Sequence, residues 1–491
     1  MFLKSKNLSK FSGLVVFLLV LATGLIDLRE PFAGDQALFV TGATAMTRGA
    51  VLYRDFWDLK QPGIYGFYWL GIHFPGSTEV AVHSLEVLYF AAFALVIFVS
   101  LRSWFVGRQF AALAAVLVCG IYFVICSSWH LTQVEGLVGL PLYLCAWLML
   151  AAGQRVFAGR MCLAGLAVAW VAMLKLMLVV LPGCFFLMML VRERQNGRTL
   201  IGCLSGILCL SLGVAIVAGP VVYFFAAHDQ LSLLYSTFVD DPMRIARELP
   251  HNPLSVFRAG IFWFASRMGL LLPLACIGAY RKRKDLLGCG LVVWIIVGFA
   301  LIFIQRMGWE YHFLVLLCPI GILAAAGVEQ LIESALEKRS QPAGRLLAAI
   351  PVLLLSPYLA AGLVRTGMHV HDPRPRFYAE TDQVTAILNT SHSKAGAIYV
   401  LGDPLIYYRS NRPQAVAING WSPEWLLDDQ WKELAGELRM ARPVYIFVSH
   451  ENRHFLVDRG RGVGRVIGDL YCKVGDDNDG GDWFALREPN R

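Results

Sequence analysis

Apolar runs follow one another through the first three quarters of the chain, at 11–26, 81–101, 110–128, 134–153, 161–191, 200–227, 259–280, 286–304, 312–332 and 346–364. A bilayer crossing takes roughly 20 apolar residues at about 1.5 Å each, so nearly every run is one candidate helix. Short basic clusters separate them: Arg102/Arg108, Arg155/Arg160, Arg192/Arg194/Arg198, Arg281 to Lys284, and Lys338/Arg339/Arg345. Basic residues stay inside, and Lys4, Lys6 and Lys10 before the first run place the N-terminus there. Ala22-Thr23-Gly24 resembles a signal-cleavage site, but the many later runs favour a retained anchor. The run 161–191 is long for one helix and short for two. A single crossing would put Arg281 to Lys284 outside, so parity predicts two short helices meeting at the outer face, with Lys175 at the turn. Eleven crossings follow, with the C-terminus outside.

The long polar segments, 27–80, 228–258 and everything after Arg365, then share the outer face. In the first of them Phe39, Ala43 and Met46 recur at helical spacing before Gly49, and Pro62 opens a second helix carrying Tyr65, Phe67, Tyr68 and Trp69. Both are expected to lie at the interface, joined by RDFWDLKQPG at 54–63. After the proline-containing stretch 371–375, GAIYVLG (396–402) and PVYIFVS (443–449) read as buried strands flanking a helical stretch at 423–440. The expected fold is therefore mostly α. A polytopic membrane domain, 1–364, precedes a soluble α/β domain, 365–491, that docks or braces rather than binding a nucleotide: Gly402-Asp403-Pro404 is no nucleotide fingerprint.

With 57% apolar and 16% charged residues the chain does not suit a single soluble domain. The net charge of +8 resides in the clusters between apolar runs, which excludes nucleic acid as a partner. The eleven cysteines form neither a disulfide framework nor a CxxC knuckle.

Asp35 stands at the start of the first interfacial helix, and Lys60 just before the second, where a cation can meet a lipid phosphate. Lys175 interrupts an apolar run, where a charge costs roughly 2.5 to 3.5 kcal/mol at the bilayer centre unless it snorkels. His130 and Glu135 flank an outer turn, and Arg306, Trp309 and His312 flank the outer end of the tenth span. Arg244 and Arg247, three apart, share a face if their stretch is helical. The alternatives are a helix cap for Asp35, a polar cap on the fourth span for His130 and Glu135, a solvated face for the arginines and an aromatic belt around His312.

An Asp at the head of the first outer loop, then Ala45-Met46-Thr47-Arg48-Gly49, then YRDFWDLKQPG at 53–63, resembles the opening of GT-C fold glycosyltransferases of the protein O-mannosyltransferase and aminoarabinose transferase type. Thr132-Gln133-Val134-Glu135, Leu174-Lys175, Trp309-Glu310-Tyr311-His312-Phe313 and Leu316-Leu317-Cys318-Pro319 continue the resemblance, which spans about 11–330. Many relatives have Asp-Glu where this chain has Asp35-Gln36.

The resemblance implies transfer of a sugar from a polyprenyl-phosphate donor to a hydroxyl of a lipid, glycan or protein acceptor, with inversion, on the outer side of the membrane; the short polar loops and absence of retention signals point to a bacterial inner membrane. Asp35 would be the general base. Lys60 and Lys175, with Arg244 and Arg247, would meet the donor phosphate, and Asp58, His130, Glu135 and His312 would shape the pocket. No cofactor is implied; a divalent ion on Asp55 and Asp58, or on Asp240-Asp241, is the lesser alternative, since these outer acids contain no DxD. The main rival is a transporter or flippase of lipid-linked sugars, though internal repeats are not evident. A non-catalytic membrane scaffold is the other rival.

Overall fold

The structure is a computed structural model that describes residues 8–151, 157–197, 199–249, 254–305, 308–371, 376–390, 393–478 and 480–488. Lys4, Lys6, Arg155, Arg198, Arg306 and most of the 371–375 stretch lie outside the described residues. The chain forms two compact units. The first comprises Met1–Glu30, Val80–Val221 and Asn252–Pro373; the second comprises Pro31–Glu79, Val222–His251 and Arg374–Arg491.

The first unit is a bundle of apolar helices. Among the described residues, eight helical stretches are long and apolar enough to cross a membrane. The difference from eleven expected crossings lies in Leu8–Leu25, in the shorter Val134–Leu150, and in the stretch Ala158–Gln195. That last stretch is two helices, Phe157–Lys175 and Val180–Gln195, interrupted where Lys175 adopts an extended backbone (φ −156°, ψ 96°). Lys175 reaches Glu135, ahead of the helix Gly139–Leu150, while Arg192 donates to the carbonyl of Leu150 at that helix's other end (3.2 Å). The pair therefore forms a hairpin with Lys175 at its tip.

Two of the basic loops meet. Trp104 donates its indole N–H to Asp285 (2.7 Å), Lys282 Nζ donates to Trp104 O (2.7 Å), and Val106 N and Arg281 Nε both donate to Glu329. Loops 102–108 and 281–285 thus share one side with the last turns of the helix Leu317–Glu337. This helix is the centre of the unit: the apolar part of the stretch Glu310–Glu337 that contains it is almost wholly buried, whereas almost none of Pro342–Met368 is. It packs on Leu272–Arg281 backbone to backbone. A Cβ on Gly278 would lie 1.9 Å from Leu323 O, and one on Gly327 2.0 Å from Leu274 O. Small residues permit such approach, and in lipid close packing is the main attraction between helices.

The second unit is built on a four-stranded sheet of β1 (Ile398–Leu401), β2 (Tyr445–Ser449), β3 (Tyr471–Asn478) and β4 (Gly481–Leu486), in the order β1-β2-β4-β3. β1 and β2 run parallel, linked through the helix Asp428–Ala441, which is the β-α-β order expected. The β3-β4 hairpin was not expected, because Asp476-Asp477-Asn478-Asp479-Gly480-Gly481 reads as a polar loop. It pairs antiparallel, placing Trp483 opposite Phe447 and against Tyr445 in the sheet's core.

The first outer segment belongs to this unit. Its helices are Asp35–Thr47, followed by Gly49 at φ +91°, and Pro62–Gly71, with Pro62 in the first turn. They cross at Gly42, where a Cβ would meet the Tyr65 ring at 2.5 Å. The expectation that Tyr65 and Tyr68 serve as headgroup aromatics is corrected: both are fully buried, packed on Phe39, and only Trp69 is exposed. The Asp35 helix is packed within the protein as well, with Gln36 through Val40, Gly42 and Ala43 all buried. The linking loop is stitched to the C-terminal segment. Trp57 N donates to Ala417 O (2.9 Å), and Asn419 Nδ2 donates to Trp57 O (2.6 Å). Residues Val222–His251 complete the unit, with Phe225 and Phe238 against Tyr53 and Ile245 and Leu249 against Leu427.

The glycine contact is open to a direct check. Gly278→Val or Gly327→Val should lower the melting temperature of the purified protein in detergent, with overpacking costing about 1–3 kcal/mol or more. Gly183→Ala, where the added methyl meets nothing within 4 Å, should leave it unchanged.

Candidate active site

Gly34, at φ 51° and ψ −117°, a backbone that only glycine adopts readily, turns the chain into the Asp35 helix. Asp35 therefore stands in the first helical turn, where the helix dipole favours negative charge. Its side chain is only 11% exposed, and a different donor holds each oxygen. Lys60 Nζ lies 2.7 Å from Oδ2, and the indole N–H of Trp421 donates to Oδ1 at 2.7 Å.

The loop that carries Lys60 is fixed from both sides. Tyr53 OH donates to Lys60 O (2.9 Å). Asp58 accepts Tyr65 OH (2.6 Å) and Leu59 N (2.8 Å), so it braces the loop. Burial pushes the Asp58 carboxyl above the usual carboxylate range, opposed by the Lys60 charge. Asp55 accepts Val51 N and pairs with exposed Arg54. The stretch 54–63 is thus a scaffold that delivers one ammonium to one carboxylate.

Asp403 belongs to the same electrostatic environment. Burial raises its carboxyl to about 6, helped by the Asp35 charge and opposed by the N–H of Leu405.

Arg244 and Arg247 lie on the short helix Asp241–Glu248, as their spacing allowed. Arg244 forms a two-bond fork on Asp429 (2.8 and 3.2 Å) and pairs with Glu248, while Arg247 is exposed.

The remaining candidates gather in the first unit. Glu135, in the first turn after the outer loop, pairs with Lys175, and His312 Nε2 lies 3.6 Å from the same carboxylate. His130 stacks on Trp263, accepts or donates at Ser127 Oγ (2.7 Å), and meets Glu310 Oε2 through Nε2 (2.9 Å). Burial lowers the imidazole's proton affinity, and Glu310 partly restores it. Thr132, at φ +53°, fixes the loop between them: its hydroxyl donates to buried Glu86 (2.8 Å), which also accepts from Tyr122 and meets His83. Among the described residues, no group of three or more His, Cys, Asp or Glu side chains is placed to hold a metal ion.

Sequence reasoning named Asp35, Lys60, Glu135 and Lys175 as separate candidates; their pairing as Asp35 with Lys60 and Glu135 with Lys175 comes from the structure. Trp421 was missed, since the first Trp of NGWSPEW carries no signal for a partner 386 positions away. Glu310 lay in a quoted motif without a role, and Glu86 within an apolar run.

No family model matches the chain, and no curated protein matches it by sequence. Its structure nevertheless matches solved membrane proteins over almost its whole length, and the class is that of the GT-C fold. ArnT from Cupriavidus metallidurans bound to undecaprenyl phosphate is similar at a TM-score of 0.64, with 12% identity and 98% of each chain covered. Its apo form gives 0.59 at 13% identity, again over 98% of each chain. The oligosaccharyltransferase of Archaeoglobus fulgidus in the apo form gives 0.56 at 9% identity, covering 99% of this chain and 75% of that one.

Asp403 provides a pH test. An ordinary aspartate ionises near 3.9. With the folded group at about 6, the folded state holds the proton more tightly, so this group's contribution to stability falls as pH rises from about 4 to about 6. Asp403→Asn should remove that fall. Its melting temperature should exceed wild type by a few degrees at neutral pH, with the gap closing below pH 4 in a detergent melting series.

Proposed function

We propose that this protein transfers a sugar from a polyprenyl-phosphate carrier to an acceptor hydroxyl at the outer face of a membrane, by one inverting displacement. The observation that carries this reading is the Asp35 carboxylate held between Lys60 and Trp421. The fold shared with ArnT, whose structure holds undecaprenyl phosphate, supports the choice of carrier. On this reading the first unit and its eleven crossings lie in a bacterial inner membrane, with the N-terminus inside and 365–491 outside.

The chemistry follows from that carboxylate. An acceptor hydroxyl gives its proton to Asp35 as its oxygen bonds to the anomeric carbon, while the bond from that carbon to the phosphate oxygen breaks. The leaving phosphate gains negative charge and needs a fixed cation. Lys60 serves both partners in turn. Before the donor arrives it neutralises Asp35; the incoming phosphate draws the ammonium away, and Asp35 becomes an available base. Trp421 keeps the carboxylate oriented during that exchange. Asp58 acts at a distance, by holding the Lys60 loop on Tyr65.

Within the first unit, Lys175, Glu135, His312 and His130 are the candidates for sugar and phosphate contacts. Lys175 pairs with Glu135 as Lys60 does with Asp35, so an arriving anion can exchange partners there as well. Arg247, exposed on its helix, is the other candidate for phosphate, and Arg244 anchors that helix through Asp429. The acceptor class, whether lipid, glycan or protein, is open to the same assay.

Membranes of a deletion strain, analysed by mass spectrometry, should accumulate sugar-linked polyprenyl phosphate. Wild type should clear it, and Asp35→Asn should not, because loss of a general base costs roughly a hundred- to ten-thousandfold. Lys60→Met should slow turnover roughly a hundredfold or more. Full clearance by Asp35→Asn, or no accumulation in the deletion strain, would overturn the reading. Trp421→Phe, which retains the ring and loses the N–H, should lower kcat roughly tenfold with little change in KM.

A further inference from the structure

The basic loops of the first unit enclose a second feature that the transfer reaction does not use. A cavity of 540 Å³ opens beside the end of the helix Leu272–Arg281, lined by Ile277, Tyr280, Arg281, Lys282, Arg283 and Gln330. Its charges are not equivalent. Arg281 is committed to Glu329 (3.1 Å), Glu333 (2.8 Å) and Gln330, and Lys282 to Trp104, by a 2.7 Å bond to the carbonyl and by lying 4.1 Å over the ring. Those two cations build the wall. The acids nearby are engaged as well, because Glu329 is fully buried and Asp285 accepts from Trp104 Nε1 and Gly288 N.

Arg283 and Lys284 are the surplus. Arg283 lies 3.9 Å over the ring of Tyr280 and donates once, from Nη1, to the Tyr280 carbonyl. Both side chains are exposed, as are Arg102 and Arg108 on the neighbouring loop. The rim therefore carries net positive charge beyond what the buried acids neutralise.

A stripe of exposed side chains leads away from it. Pro273, Cys276 and Tyr280 (68% exposed) recur at intervals of three and four on the helix Leu272–Arg281, with half-buried Ile277 beside them. An anionic pocket ligand that continued as a hydrocarbon chain along this stripe would match both surfaces. A free ion would match only the first.

We propose that this cavity is a binding site for the phosphate headgroup of an anionic phospholipid, whose acyl chain lies along Tyr280, Cys276 and Pro273. Arg283 makes the headgroup contact, the exposed Lys284 next to it in the chain adds positive charge, and Arg281 and Lys282 shape the floor. The site lies with the loops that the basic clusters assign to the inner face, where anionic lipid headgroups are attracted to juxtamembrane basic residues. It is independent of the transfer chemistry proposed above.

Native mass spectrometry of the full-length protein, released from detergent after incubation with phosphatidylglycerol or phosphatidylcholine, tests it. Phosphatidylglycerol should be retained at least fivefold more, and the Arg283→Ala/Lys284→Ala double variant should lose about tenfold of that retention. Both positions are exposed, so its melting temperature should match wild type. Tyr280→Ala, which keeps every charge, should also weaken retention by removing the platform under Arg283. Equal retention of the two lipids, or a double variant that binds as wild type does, would overturn the proposal. Displacement of the lipid by inorganic phosphate at equal concentration would overturn the role of the stripe, and with it the lipid assignment.

Discussion

An ionised carboxylate withdrawn from water persists only when other donors replace the water it has lost, and Asp35 has an ammonium on one oxygen and an indole N–H on the other. Much of the second unit can be understood as the support of that arrangement. Gly34 sets the turn that starts the helix, Tyr53 and Asp58 hold the Lys60 loop, and Gly42 lets the two helices close on each other. Asn419 ties Trp57 to the same C-terminal stretch that delivers Trp421. The sheet matters to this clamp because it holds that stretch, with Gly420 pressed against the backbone of β1 at Val400.

The first unit repeats the logic in a drier setting. Glu135 is neutralised by Lys175, with His312 near the same oxygen, and each of these groups comes from a different part of the chain. A charge in an apolar bundle is expensive, so the loop bearing Glu135 cannot be left to drift. Glu86 prevents it by gathering the hydroxyls of Thr132 and Tyr122, at the cost of a left-handed backbone at Thr132. Paired charges at both clusters share a property that isolated ones lack: an incoming anion can take the cation, and the acid is then released.

Local signals were legible where one residue dictates geometry. Pro62 starts its helix, Gly49 ends one, Lys175 breaks the long apolar run, and the two apolar stretches of the C-terminal segment become β1 and β2. The meeting of the 102–108 and 281–285 loops was legible too, because charge position is written along the chain. Other features depended on what the fold brings near. Tyr65 and Tyr68 have the composition of interfacial aromatics, and only the crossing at Gly42 shows that they are core. The β3-β4 hairpin runs through an acidic, glycine-rich stretch whose pairing comes from its neighbour β2. Trp421 has no pattern around it at all.

The separation of 386 positions between Asp35 and Trp421 also sets a schedule. A ribosome adding about 5–20 residues per second leaves the nascent chain with its acid in place and its indole unmade for roughly 20–80 s. Throughout that interval the carboxylate lacks one of its two clamps. The clamp therefore closes late, after the last hydrophobic segment has been made, and every molecule passes through a youth in which its acid is only half held.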